Sequence, residues 1–279
     1  MRFSIITPSF RNSDWLKLCL ASVADQEGVD VEHIVQDAGS DDGTLNWLPN
    51  DPRVKAYIEK DEGMYDAINR GLRRSTGEII AYLNSDEQYL PASLKSVAEF
   101  FAKNPDVDLV FGDAVVVDAN GDYICYRKVL TPLQHHTRMC HLATLTCATF
   151  FRRRLIDEEK VFFDPQWRVI GDSQWMLHLL ERKISMAVLR KFTSIFTDDG
   201  RNLSWGPRAI EEKKAAGRLA PAWARGFGPF FMMQHRLRRL FHGIYFQKPF
   251  RYALYTRKSP KVRVEHLVEK PTFLWRGRV

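Results

Sequence analysis

Long apolar runs are missing from this 279-residue chain: no window approaches the roughly 18 uninterrupted apolar residues that span a bilayer. The opening MRFSIITPSF lacks the apolar core and cleavage site of a signal peptide, so the chain is expected to stay in the cytoplasm. Cysteine is scarce. Cys19, Cys125, Cys140 and Cys147 form no C-x-x-C pair, which points to reduced, mostly buried thiols and no disulfide. No internal repeat or low-complexity tract appears. What is present, 45% hydrophobic and 27% charged residues, suits one large α/β domain plus an appendage.

The formal charge of +7 conceals a division. Residues 201–279 carry 18 Lys+Arg against 4 Asp+Glu, leaving residues 1–200 with 23 against 30. The chain has an acidic body and a basic tail.

Residues 2–7 (RFSIIT) and 31–36 (VEHIVQ) read as strands from their β-branched content, and SDWLKLCLASVADQ between them carries apolar residues at helical spacing. The alternation continues with a short helix near 44–48, a strand at 54–58, a helix at 65–74, a strand at 79–83, a helix at 94–103 and a strand at 109–112. Such alternation predicts an α/β, Rossmann-like, mainly parallel mixed sheet with helices on both faces. From Val115 onward AVVVD, YICYRKV and ATFFRRR read as shorter, antiparallel, edge-like strands. GDSQWMLHLLERK reads as a helix with Trp175, Leu179 and Leu180 on one stripe.

Four loops should then meet at the sheet's carboxyl edge, where polar groups can be presented without breaking the ladder of hydrogen bonds. The first holds Thr7, Pro8, Ser9 and Phe10, the aromatic placed to pack on a flat ring. In the second, QDAGSDDGT, Asp37 can accept hydrogen bonds from a base or ribose. The third, KDEGMYDAINRGL, sets Asp66 and Asn69 one helical turn apart, on one face. The fourth, NSDE, puts Asp86 and Glu87 just past a buried strand. Singly, each is ordinary turn chemistry, and Asp86 alone reads as a solvated turn or as the cap of the helix after Pro91. Together they describe a pocket for a base, a sugar and a phosphate.

In the order of these blocks the chain resembles the family 2 glycosyltransferases, inverting nucleotide-sugar enzymes of the A-type fold, over roughly residues 1–204. SIITPSFRN, VQDAGSDDGT, GMYDAINRGLRRSTGEIIAYLNSDE and TFFRRRLID…IGDSQWML are similar to that family's successive motifs, most closely in bacterial members that build surface polysaccharides. The resemblance implies a catalytic domain at 1–204, with a nucleotide-binding half at 1–112 and an acceptor half at 113–204, followed by a basic, largely helical extension at 205–279. It implies that Asp86, at the last position of the D-x-D motif, binds Mn²⁺ or Mg²⁺ bridging the nucleotide's diphosphate. Neutral Asn84 replaces the motif's first acid, so the metal falls mainly to Asp86, helped by Glu87. Asn84 and Ser85 then lie by the ribose, Asp37 and residues 8–10 in the base pocket, and Asp66 with Asn69 on the sugar-phosphate side. Asp172 in IGDSQ matches the catalytic base, although by itself an Asp after Gly171 is equally a helix N-cap. The implied partners are a nucleotide-sugar donor, UDP-sugar ahead of GDP-sugar, and a glycan or lipid-linked acceptor.

His135, His136, Cys140 and His141 of HHTRMCH match no closed structural zinc site, so no metal is expected there and His141 is placed near the acceptor pocket. TDDGRNLS resembles the loop after the family's last core strand, which implies for Arg201 either a reach to the diphosphate when that loop closes or, equally, an exposed arginine on a mobile loop. The tail PAWARGFGPFFMMQHRLRRLFHGIYFQKPFRYALY fits either an interfacial segment on anionic lipid, at the inner face of the cell membrane, or an appendage packing its aromatics on the body or on a second copy. Nucleic acid is not expected as a partner, because the sheet's loops are acidic where a phosphate backbone needs Lys and Arg. A nucleotidyltransferase would carry a Gly-rich loop after strand one, and TPSFRN has no glycine. A non-catalytic sugar-nucleotide binding protein would have no need of Asp172.

Overall fold

Unbroken apolar runs demand cover on both faces, and the computed structural model of the chain, which describes residues 1–200 and 206–275, has them covered. β1 (Arg2–Ser9), β2 (Asp30–Asp37), β3 (Lys55–Ile58) and β4 (Ile79–Tyr82) lie parallel in the order β3-β2-β1-β4. Strand side chains alternate between faces. Phe3, Ile5, Ile79 and Ala81 meet Cys19 and Val23 of α1 (Ser13–Ala24), whereas Ile6, Ile34, Ile80 and Tyr82 meet Tyr65, Ile68 and Leu72 of α2 (Met64–Arg74). The expected helix at 44–48 is instead a pair of 3-10 turns, Thr44–Asn46 and Leu48–Asn50.

The second half comprises β5 (Gln88–Tyr89), α3 (Ser93–Lys103), β6 (Leu109–Asp118), β7 (Tyr123–Arg127), α4 (Gln134–Met139), β8 (Thr149–Arg152), α5 (Arg154–Asp157), α6 (Gly171–Glu181) and β9 (Met186–Asp198). The nine-stranded sheet continues from β4 as β8-β6-β9-β5, with β7 paired to β6. Two sequence expectations need correction. β8 is not an edge but lies between β4 and β6, antiparallel to both. Residues 109–112 and 114–118 are one ten-residue strand, so no element ends at 112. Gly112 looks like punctuation in the sequence, yet a Cβ there would lie 2.2 Å from Thr193 Oγ1, and its bareness admits the bulge where β9 shifts register.

The extension is not largely helical. After α7 (Pro207–Arg218) and α8 (Gly228–Phe241) it ends in a hairpin, β10 (Phe250–Thr256) and β11 (Ser259–Val268). Tyr252, Leu254 and Val268 recur on the buried face and pack on Val115, Val117 and Ile195 of the main sheet. Gln88 holds the backbone of Tyr255 through two bonds, at 2.8 and 2.9 Å. Arg263 spends its charge inside, on both Asp25 oxygens at 2.6 and 2.7 Å. α8 turns Phe231 and His235 inward, but Phe230, Met233, Leu237, Leu240 and Phe241 stand exposed along its outer side. No helix among the described residues is long and apolar enough to cross a membrane.

Candidate active site

β1 and β2 run further than their composition suggests, so three residues expected in a loop are strand residues. Thr7 is buried, its hydroxyl bonded to His33 Nε2 at 2.9 Å. Pro8, which has no N–H to give, sits on the side of β1 facing β4, beyond the point where Leu83 N–H makes the last bond to Ile6. Ser9 donates to Asp37 Oδ2 at 2.8 Å. Of the four, Phe10 offers an open face, 54% exposed with the Arg11 guanidinium 4.9 Å over its ring.

Asp37, the last residue of β2, is fully buried and already satisfied. Its Oδ1 accepts from the N–H groups of Gly39 and Ser40 at 3.0 and 2.7 Å, and its Oδ2 from the hydroxyls of Ser9 and Ser40 at 2.8 Å. Four donors fill both oxygens, so Asp37 shapes the loop around the pocket rather than pointing a vacant acceptor into it. Asn69 is similarly committed. Its amide donates to Phe163 O at 2.7 Å and accepts Phe163 N–H at 2.9 Å, which fixes an aromatic wall. Asp66 closes the turn before α2, accepting from Glu62 N–H at 3.1 Å and pairing with Arg70 at 2.8 Å.

Past β4 the chain turns inside the protein. Ser85 is buried and accepts from Asn12 Nδ2 at 2.7 Å, tying this turn to the first loop. Glu87 is 1% exposed: its Oε2 accepts Asn84 N–H at 2.8 Å, while its Oε1, like Asn84 Oδ1, is buried with no partner among the described residues. The Asp86 carbonyl is held by Thr197 Oγ1 of β9 at 2.6 Å, and its half-buried carboxylate lies in the field of the Asp199 charge. Burial pushes both carboxyls up; Asp199 adds to the rise at Asp86, and Asp86 to that at Glu87. Such a set fits a hard divalent cation such as Mn²⁺ or Mg²⁺, since the carboxylates of Asp86 and Asp199 and the unpaired oxygens of Asn84 and Glu87 are all oxygen donors.

Asp172 lies in the first turn of α6, two residues past the capping position, Ile170, which makes no side-chain bond. Asp172 Oδ1 accepts Ser173 N–H at 2.8 Å. The single Tyr65 hydroxyl proton is shared between Val169 O at 3.1 Å and Asp172 Oδ1 at 3.4 Å, and the same oxygen accepts Asp172 N–H at 3.1 Å. Gly171 permits this approach: a Cβ there would sit 2.5 Å from the Tyr65 ring. Burial pushes the Asp172 carboxyl up in spite of these bonds. A small cavity opens beside it, walled by Tyr82, Phe163, Trp175 and Met176 and by Thr144 and Thr146. Phe163 stacks on Trp175 at 4.9 Å and on Tyr65 at 5.4 Å. Tyr82 connects the two acid groups, because its hydroxyl, pushed up by burial, lies in the fields of both Asp172 and Glu87.

Sequence reasoning missed Tyr65, Asp199 and Glu212. Tyr65 lies inside a quoted motif and was open to suspicion. Glu212, on α7, looks like an ordinary surface acid in IEEKK, yet it accepts the N–H groups of Arg168, Val169 and Ile170 at 2.9, 2.9 and 3.1 Å and so fixes the segment that presents Asp172. Arg201 lies outside the described residues.

Comparison with known proteins places this geometry. The family model described as "Glycosyl transferase family 2" matches residues 4–160, more than half of the chain. A PGL/p-HBAD biosynthesis glycosyltransferase of Mycobacterium bovis is 36% identical over 124 residues, covering 42% of this chain and 48% of that protein. The chain thus spans about half the length of the curated relatives it matches first. S. aureus TarS in complex with UDP-GlcNAc superposes with a TM-score of 0.62 at 22% identity, over 78% of this chain and 65% of that one. A Pyrobaculum calidifontis mannosyltransferase in complex with GDP-Man and Mn²⁺ gives 0.59 at 18% identity, over 83% and 68%. These two show the shared fold, a mixed α/β sheet of the A type.

The Glu212 cradle has a measurable pH signature. Burial raises its pKa, but the three N–H donors outweigh burial and hold it below the usual carboxylate range. Its contribution is therefore complete above the unfolded value of about 4.3 and is lost as pH falls through the lower folded value. Glu212→Gln should cost about 1–3 kcal/mol in urea unfolding at pH 7 and progressively less toward pH 3. An equal cost at both pH values would contradict the assignment.

Proposed function

The chain belongs to glycosyl transferase family 2, and we propose that it transfers a sugar from a nucleotide-diphosphate sugar to a hydroxyl of a glycan or lipid-linked acceptor in polysaccharide or glycolipid assembly, with inversion at the anomeric carbon. The observation that carries this is the cavity in which Tyr82, at the end of β4 and four residues before Asp86, meets Asp172 of α6. The UDP-GlcNAc bound by TarS and the GDP-Man bound by the mannosyltransferase support a sugar-nucleotide donor, UDP-linked ahead of GDP-linked.

Asp86 and Asp199 hold the diphosphate side of the site, with the Asn84 and Glu87 oxygens behind them. These residues would hold Mn²⁺ or Mg²⁺, whose charge would offset that gathering on the leaving diphosphate. Ser85 and Asn12 border the ribose, and Phe10 offers its exposed ring to the base. On the other side, Asp172 Oδ receives the acceptor's hydroxyl proton as that oxygen attacks the anomeric carbon. A carboxyl raised by burial is a stronger proton acceptor than a solvated one, provided pH is high enough to ionise it. Tyr65 and Ser173 keep the carboxylate oriented while Thr144 and Thr146 border the space for the acceptor. One displacement at carbon inverts its configuration.

The exposed residues of α8 recur at i, i+3, i+7, i+10 and i+11 from Phe230, which makes one apolar side within a basic extension. We propose that this side lies on anionic lipid at the cytoplasmic face of the cell membrane, where lipid-linked acceptors are presented.

Asp172→Asn should lower transfer about 10²–10⁴-fold while leaving the Kd for the donor with Mn²⁺ within about twofold of wild type. Asp86→Asn should weaken that binding as well. Undiminished turnover in Asp172→Asn would sink the mechanism. Replacing Phe230, Leu237 and Phe241 by Ser should abolish co-sedimentation with phosphatidylserine liposomes, and the membrane assignment fails if partition is unchanged or if the chain instead forms a dimer through that side.

A further inference from the structure

Away from the catalytic groups, three imidazoles converge where α4, the segment after it and α8 meet. His136 on α4 and His235 on α8 stack with ring centroids 4.2 Å apart and planes 19° from parallel. His141 meets them edge-on, at 4.7 Å from His136 and 5.8 Å from His235. One ligating atom from each residue lies within 4.8 Å of the other two. Two of the rings are buried, His136 at 1% and His235 at 7% exposure, while His141 opens to solvent and gives the cluster a way in.

His136 carries the strongest sign of an absent partner. Its Nδ1 faces the carbonyl of Phe231 at 3.4 Å, and its Nε2 is buried with no hydrogen-bond partner among the described residues. A backbone carbonyl on one imidazole nitrogen is the arrangement that leaves the other nitrogen's lone pair for a metal. A buried polar atom left unsatisfied is costly, and a cation would satisfy it.

We propose that His136, His141 and His235 form a three-histidine site for Zn²⁺, with a fourth position open to water or a small anion. Three neutral nitrogens suit a borderline-soft ion, and a tetrahedron with Zn–N of about 2.0–2.1 Å sets its corners roughly 3.3 Å apart, so binding draws the nitrogens in from their 4.8 Å span and turns the His136 and His235 rings out of their stack. Arg127, Lys213, Arg238 and Arg239 surround the cluster with positive charge, which disfavours a bare dication and favours an anion at the fourth position. Bound there, the ion clips α8 to the segment leading into Leu142, Thr144 and Thr146, and so to the wall of the cavity beside Asp172. The motif HHTRMCH does not reveal this site, because its third ligand comes from the distant extension.

The site stands independently of glycosyl transfer. Tag-free full-length protein, stripped of metal and kept in excess Mg²⁺ to occupy the carboxylate turn, is titrated with Zn²⁺ against a chromophoric chelator. The expected result is one Zn²⁺ per chain at micromolar Kd or tighter, with the melting temperature raised by about 5 °C at 100 times Kd. His141→Ala removes an exposed ligand at little risk to folding and should weaken binding at least about 100-fold, as should His235→Asn, whereas Asp86→Asn should leave it unchanged. No stoichiometric binding, wild-type affinity in His141→Ala, or loss of binding in Asp86→Asn would overturn the proposal.

Discussion

β4 is buried on both faces, and the chain leaves it inside the protein rather than in water. That constraint governs the site. Every polar group of residues 84–87 must find a protein partner or stay unpaired, and two oxygens, Asn84 Oδ1 and Glu87 Oε1, stay unpaired. Glu87 is consumed in closing the turn on Asn84 N–H, so Asp86 is the more accessible acid of the two. In a solvated turn the same residues would be ordinary; desolvated, they have the oxygen-donor chemistry that the proposed cation and diphosphate site requires.

The basic extension packs into the main sheet rather than standing apart from it. Its hairpin supplies Tyr252 and Leu254 to a shared core, Arg263 joins it to Asp25, and Glu212 of α7 fixes the segment ahead of α6. Asp172 is thus oriented from two directions, by Tyr65 from the nucleotide half and through Glu212 from the extension. The excess of Lys and Arg in the tail is partly spent on these internal contacts, and what faces outward on α8 is mostly apolar.

Much of this was legible in the sequence. The alternation of β-branched runs with helical spacing specified the parallel half, since α1 and α2 are the crossovers from β1 to β2 and from β3 to β4, and only the β2–β3 connection departs from a helix. The second half was harder, because β9 is interrupted by Arg190 and Lys191 at its bulge and β8 has only four residues, too few for periodicity to speak. Among site residues, Asp86 and Asp172 were visible as acids at element boundaries. The committed bonds of Asp37 and Asn69 were not: Asn69 is held by the distant backbone of Phe163, and Asp37 takes the hydroxyl of Ser9 from the neighbouring strand besides the local donors of Gly39 and Ser40. Glu212 and the histidine cluster were hidden for a related reason: each depends on contacts between segments far apart in the chain.

The claim on which the account turns is that the buried turn after β4 receives the donor's diphosphate together with a divalent cation. Diffraction from crystals grown with UDP and Mn²⁺, recorded at the manganese absorption edge, tests it directly. The expected result is an anomalous peak at bonding distance from an Asp86 carboxylate oxygen, with the diphosphate on its far side. UDP bound with no manganese in reach of Asp86, or manganese bound elsewhere, would contradict it.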